Sequence, residues 1–145
     1  MTEGKTLSPS LPAVGPWAVS TTAAIDLDAV EKSYVEWLNY RVVGRGVVSA
    51  DLASSWGAPK TNGARYTTLE PESGKQVLLR VVENQSVDSF KPLTTYGWAA
   101  SELVVQDTDQ LEAHFAESPF KIIGPPADLE MVPEIRAMQV IGLAG

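Results

Sequence analysis

The chain has 145 residues, 44% hydrophobic and 20% charged, the composition of an ordinary folded domain. Its net charge is −7, from 11 basic and 18 acidic residues, and the basic ones are scattered singly, which excludes nucleic acid or an anionic membrane as main partner. It has no cysteine, which excludes disulfides, thiolate catalysis and cysteine-based metal sites.

Residues 1–15 are rich in Pro, Ser and Gly and contain no apolar stretch of the kind that starts a signal peptide, so they read as a flexible tail. No segment is long and apolar enough to span a bilayer, and the cytoplasm is the default compartment.

The rest of the chain is expected to hold two similar modules, residues 16–95 and 96–145. Trp17-Ala-Val-Ser20 and Trp98-Ala-Ala-Ser101 each open an apolar run that leads to an acidic residue, Asp26 or Asp107. A helix follows each run. In the first, Val30, Tyr34, Trp37 and Leu38 fall on one face, and Asp28 with Glu31 has the spacing of a capping box. In the second, Leu111 and Phe115 take the places of Val30 and Tyr34, and Asp107 with Gln110 supplies a similar start.

Tyr40-Arg-Val-Val-Gly44 then matches Phe120-Lys-Ile-Ile-Gly124, β-branched strand formers stopped by glycine. Loops of unequal length are expected next, over 54–63 and 125–133. Arg65-Tyr-Thr-Thr-Leu69 matches Arg136-Ala-Met-Gln-Val140, and both strands run to a glycine, Gly74 and Gly145. Only the first copy continues, with a further strand over Lys75–Val82. Each unit thus reads strand, helix, strand, strand, strand, and the second lacks its last strand. The expected fold is α+β, with the strand ending near Ile141 left open at one edge. This suggests a piece of a longer protein, or a sheet completed by another polypeptide.

The paired βαβββ pattern resembles the vicinal oxygen chelate superfamily, which includes glyoxalase I, extradiol dioxygenases, and fosfomycin and bleomycin resistance proteins. The resemblance covers residues 16–145. Its local marks are Asp26-Leu-Asp28, Tyr34, Leu38-Asn-Tyr40 and the turn at Gly74. It implies a curved, cup-shaped mixed sheet around a small ligand, and in many members a divalent metal held by His, Gln or Glu.

The metal positions that the resemblance implies fall on Val19, Leu78 and Ala100, with a fourth beyond Gly145. These three side chains cannot ligate a metal. A two-residue shift of register brings Thr21, Arg80 or Glu102 there instead, and of these only Glu102 is a plausible ligand. The single histidine, His114, lies on the second helix and reads as a surface or helix-packing residue. No metal or other cofactor is therefore expected, unless residues outside this chain complete a site.

The phase of those positions predicts the residues that face the cup: Val19, Thr21 and Ala23 on the first strand; Leu78, Arg80 and Val82 on the fourth; Ala100, Glu102 and Val104 on the fifth. Arg80 would meet an anionic or carbonyl oxygen and Glu102 would accept a hydrogen bond or act as base. Alternatively the two pair with each other. Glu83, at a strand end, is expected to be solvated. Trp37, Trp56 and Trp98 could stack on a ligand, and Trp56 stands out because it lies in a loop, where an aromatic has less reason to serve the core. Gly44-Arg-Gly46 is too short to cradle a phosphate.

Three functions remain open: a metal-independent small-molecule binding protein; an enzyme of lyase, isomerase or dioxygenase type using Glu102 and Arg80; and a non-catalytic module that pairs through an open sheet edge. The expected partners are a small-molecule ligand and, for the sheet, a second copy in a homodimer or a further polypeptide segment.

Overall fold

The computed structural model describes residues 18–75, 77–85, 91, 94 and 100–144. The tail over 1–15, and Trp17, Trp98 and Gly145, lie outside the described residues.

The first half runs β1 (Val19–Ala24), α1 (Leu27–Leu38), β2 (Tyr40–Val47), α2 (Ala50–Ser55), a 3-10 turn (Pro59–Thr61), β3 (Arg65–Pro71) and β4 (Leu78–Glu83). Its four strands form a mixed sheet in the order β1-β4-β3-β2. β1 lies parallel to β4, and β3 is antiparallel to both β2 and β4. Gly74, at φ +75°, turns the chain between β3 and β4 in a conformation that favours glycine.

The start of α1 differs from the expected capping box. Asp26 is the N-cap, accepting from the Ala29 N–H at 2.9 Å. Asp28 and Glu31 lie inside the helix, where arginines from β2 and β3 bind them instead. Asn39 ends the helix in the left-handed region and donates its N–H to the Tyr34 carbonyl.

Leu27 and Val30 of α1 pack on Ala24, Leu69, Leu79 and Val81, so α1 covers one face of the sheet. Burying each of the leucines and valines among them is worth about 1.5–3 kcal/mol. Val82 points the other way, to a second cluster with Val48 and Ala53 flanked by Leu52, Trp56 and Tyr66. The stretch 54–63, expected as a loop, thus contains the end of α2 and a 3-10 turn.

The second half holds α3 (Thr108–Phe115) and a hairpin of β5 (Lys121–Leu129) and β6 (Val132–Ile141). Asp107 caps α3 as expected: it accepts from the N–H groups of Asp109 and Gln110, and the Gln110 side chain donates back to it at 2.9 Å. The loop expected over 125–133 is mostly strand. Pro125 and Pro126 sit where the β5 register slips between Gly124 and Ala127, so the ladder does not need their missing N–H groups.

Residues 100–106, expected as the first strand of the second module, form no strand, and Ser101–Asp107 are exposed. The corresponding segment of the first half has a partner. There β1 pairs with β4, and no counterpart of β4 follows β6 among the described residues. Without a ladder partner an extended segment leaves its N–H and C=O groups to water. β6 itself pairs with β5 alone among the described residues.

The halves meet at α1. The Tyr34 ring lies edge-on to Phe120 at 6.2 Å, and Trp37 lies 5.0 Å from His114. Phe120 also stacks on Phe115 at 4.7 Å. His114 is therefore a helix-packing residue. No helix among the described residues is long and apolar enough to cross a membrane.

Candidate functional site

Side chains alternate along β4: Leu79 and Val81 face α1, while Leu78, Arg80 and Val82 face away from it. The register then sets their neighbours. Val19 is the partner of Leu78, Thr21 of Arg80 and Ala23 of Val82. On the other side of β4, Thr68 is the partner of Arg80. Arg80 is thus bracketed by two threonines, one exposed and one buried.

Two rings flank its guanidinium. The Arg80 Cζ lies 5.7 Å from the centre of the Trp56 ring and 5.4 Å from that of Tyr66. Such cation–π contacts are worth about 0.5–2 kcal/mol each. Trp56 reaches this position because α2 is short and well capped: the Ser49 hydroxyl accepts from the Leu52 N–H, and the Trp56 N–H donates to the Leu52 carbonyl. Tyr66 reaches it by lying over Gly46, where an added Cβ would come within 2.7 Å of its hydroxyl oxygen.

Arg80 is short of partners. Its Nε is sealed from solvent and makes no hydrogen bond, a condition that costs about 1–3 kcal/mol for an ordinary donor. The other arginines of this half are paired: Arg41 with Glu70, Arg45 with Glu31, and Arg65 with both Asp28 and Glu83. Glu83, expected to be solvated, is held by Arg65 at 2.6 Å. Its carboxyl is pulled below the usual range by that hydrogen bond. Glu31 is lowered likewise, first by the hydrogen bond from Arg45 and, more weakly, by one from Thr67. Burial pushes the Tyr34 and Tyr40 phenols up.

Five of the expected site residues therefore share one region: Val19, Thr21, Leu78, Arg80 and Trp56. The structure does not bring Ala100 and Glu102 to it on a strand, because both lie in the exposed segment 100–106. Among the described residues Arg80 and Glu102 form no ion pair. Tyr66, Thr68 and Gly46 belong to the region and were missed. Tyr66 and Thr68 were readable in principle, since they share one phase of the β3 alternation.

The donor set does not suit a metal at the positions the resemblance implies, since Val19, Leu78 and Ala100 carry only hydrocarbon. Among the described residues no group of three or more His, Asp or Glu is placed to hold one. Two concavities lie elsewhere. One of about 420 Å³ sits between α1 and β2, lined by residues such as Lys32, Glu36, Arg41 and Arg45. The other, about 190 Å³, lies over β5 and β6. The basic side chains lining the larger one are already paired, Lys32 with Glu36, Arg41 with Glu70 and Arg45 with Glu31, whereas Arg80 has no carboxylate partner among the described residues, so the region around Arg80 is the better candidate.

No family model and no curated protein matches the sequence. Solved structures do match the fold. UcmS2 is similar over 80% of this chain and 84% of its own, with a TM-score of 0.55 and 12% identity. A glyoxalase family protein from Bacillus cereus is similar over 86% of this chain and 85% of its own, with a TM-score of 0.56 and 11% identity. The chain has a glyoxalase-like α+β fold, as the repeat implied.

Proposed function

We propose that this chain is a small-molecule binding protein of the glyoxalase and bleomycin-resistance kind that works without the usual metal. The ligand is small and partly apolar, with an oxygen acceptor on an aromatic or carbonyl-bearing body. The observation that carries this reading is Arg80, a cation flanked by Trp56 and Tyr66 with a sealed, unpartnered Nε. Arg80 donates to the ligand oxygen, Trp56 stacks on the ligand body, Thr21 adds a hydroxyl, and Val19 and Leu78 supply apolar contact. Should the protein turn its ligand over, Glu102 is the candidate base; Glu102→Gln that leaves turnover unchanged removes that role.

The test is a thermal-shift panel of aromatic and carbonyl compounds, repeated on Arg80→Gln. The expected result is a stabilising compound whose affinity falls about tenfold or more in the variant, the loss of one charged hydrogen bond. A panel with no hit, or unchanged affinity in Arg80→Gln, sinks the reading. Tight stoichiometric zinc, manganese or iron in the purified protein would overturn its metal-free part.

A second reading rests on β6, which pairs with β5 alone among the described residues. An extended segment could add to that edge. Residues 100–144 carry 2 basic and 8 acidic residues, which disfavours a second copy there and favours a basic segment of another polypeptide.

A further inference from the structure

We infer that the ligand's acceptor is a carboxylate, and that Gly46 and Tyr66 are the positioning residues that make Arg80 selective for it. The inference rests on the binding role proposed above and deepens it.

Charge comes first. Arg80 has no carboxylate partner among the described residues, although Arg41, Arg45 and Arg65 of the same sheet are each paired with at least one. It is also only partly exposed, with its Nε end sealed. A half-buried guanidinium gains most from an anion, because a neutral carbonyl would leave its charge uncompensated. Its remaining exposure lies away from Nε, so a ligand would meet the terminal nitrogens. These two nitrogens present parallel N–H groups at the spacing of carboxylate oxygens.

Orientation comes second. A guanidinium on a flexible stem selects for planar geometry only if its plane is held. Here the rings of Trp56 and Tyr66 hold it. Trp56 is fixed by the α2 cap. Tyr66 depends on Gly46, since any side chain there would collide with both the Tyr66 hydroxyl and its Cζ, at 2.7 and 2.8 Å. This accounts for the second glycine of Gly44-Arg-Gly46, which has no phosphate to cradle. The second half lacks this pincer: the residue after Arg136 is Ala137, where the residue after Arg65 is Tyr66.

The experiment pairs matched probes, 2-naphthoate and 2-naphthamide, on the full chain by calorimetry. Wild type should bind the carboxylate at least about tenfold more tightly, equivalent to 1.4 kcal/mol. Gly46→Ala and Tyr66→Leu should each cut that ratio to near one while both variants still melt cooperatively. Tyr66→Leu leaves the backbone at 46 untouched, so it decides the matter if Gly46→Ala does not fold. Equal binding of both probes to wild type overturns the carboxylate assignment; if Arg80→Gln still weakens both, the binding role survives. A wild-type preference that persists in Tyr66→Leu overturns the positioning role alone. Binding of neither probe overturns both the assignment and the binding role.

Discussion

The two halves of the molecule follow one sequence pattern and reach different degrees of closure. In residues 18–85, β4 sits between β1 and β3, so every strand has a ladder and α1 has a four-stranded face to cover. Val30, Leu69 and Val81 are fully buried as a result. In residues 100–144 the same start produces a helix and a hairpin. Phe115 and Phe120 are buried, while Val104, Met131 and Ile135 lie open to solvent. Among the described residues the first half has four laddered strands and the second has two, and a two-stranded ribbon offers less sheet face to cover.

The halves do share one device that the repeat carries in code. Arg65, which opens β3, donates to both carboxylate oxygens of Asp28, two residues past the cap of α1. Arg136 does the same to Asp109, two residues past the cap of α3. Each arginine ties its strand to the start of its helix, and each takes a further carboxylate, Glu83 or Asp128. The clamp forms in both halves, although it spans 37 residues in one and 27 in the other.

The largest test of this contrast is a pair of core truncations. Leu69→Ala should cost about 2–5 kcal/mol in denaturant unfolding. Ile135→Ala, at an exposed β6 position, should stay within about 0.5 kcal/mol. Equal losses would mean that the second half has a closed core of its own.

A smaller effect is expected from the two clamps. Arg65→Ala should lower the melting temperature of the whole protein, because it acts on the half with the larger core. Arg136→Ala should instead speed hydrogen exchange in β5 and β6 with little change in melting temperature. The same fall in melting temperature for both variants would erase the distinction.

Smaller still is the response to acid. The Glu31 carboxyl is lowered from its ordinary value of 4.5, chiefly by Arg45, so the unfolded chain takes up its proton before the folded protein does. Its contribution is present above about pH 4.5 and is lost as the pH falls through the lower folded value. Glu83 and Asp109 act in the same direction, each through its arginine. Melting curves from pH 7 to pH 3 should therefore fall less steeply for Glu31→Gln than for wild type. Parallel curves would show that Glu31 adds nothing.

Much of the fold was legible. The apolar periodicity of α1, the β-branched pairs of β2 and β5 and the cap at Asp107 are short-range signals, each contained within a few residues. The facing phase of β4, taken from the positions the resemblance implies, put Arg80 with Leu78, and alternation with a period of two did the rest along each strand; the β1–β4 register that sets Thr21 and Val19 beside them came from the fold. The cap at Asp26 was missed for a long-range reason: Asp28 also fits the spacing, but Arg65 binds it from a strand 37 residues away.

The sequence by itself thus determined β1 to β4, α1 and α3, and their order, since these depend on neighbours along the chain. The tertiary structure alone decided which carboxylates the arginines take, which rings flank Arg80, and that 100–106 remains without a ladder. Those outcomes rest on contacts between distant segments. A helix can be read from its own residues, but a strand needs a partner, and whether the guanidinium on β4 is left unpaired depends on what every surrounding segment brings to it.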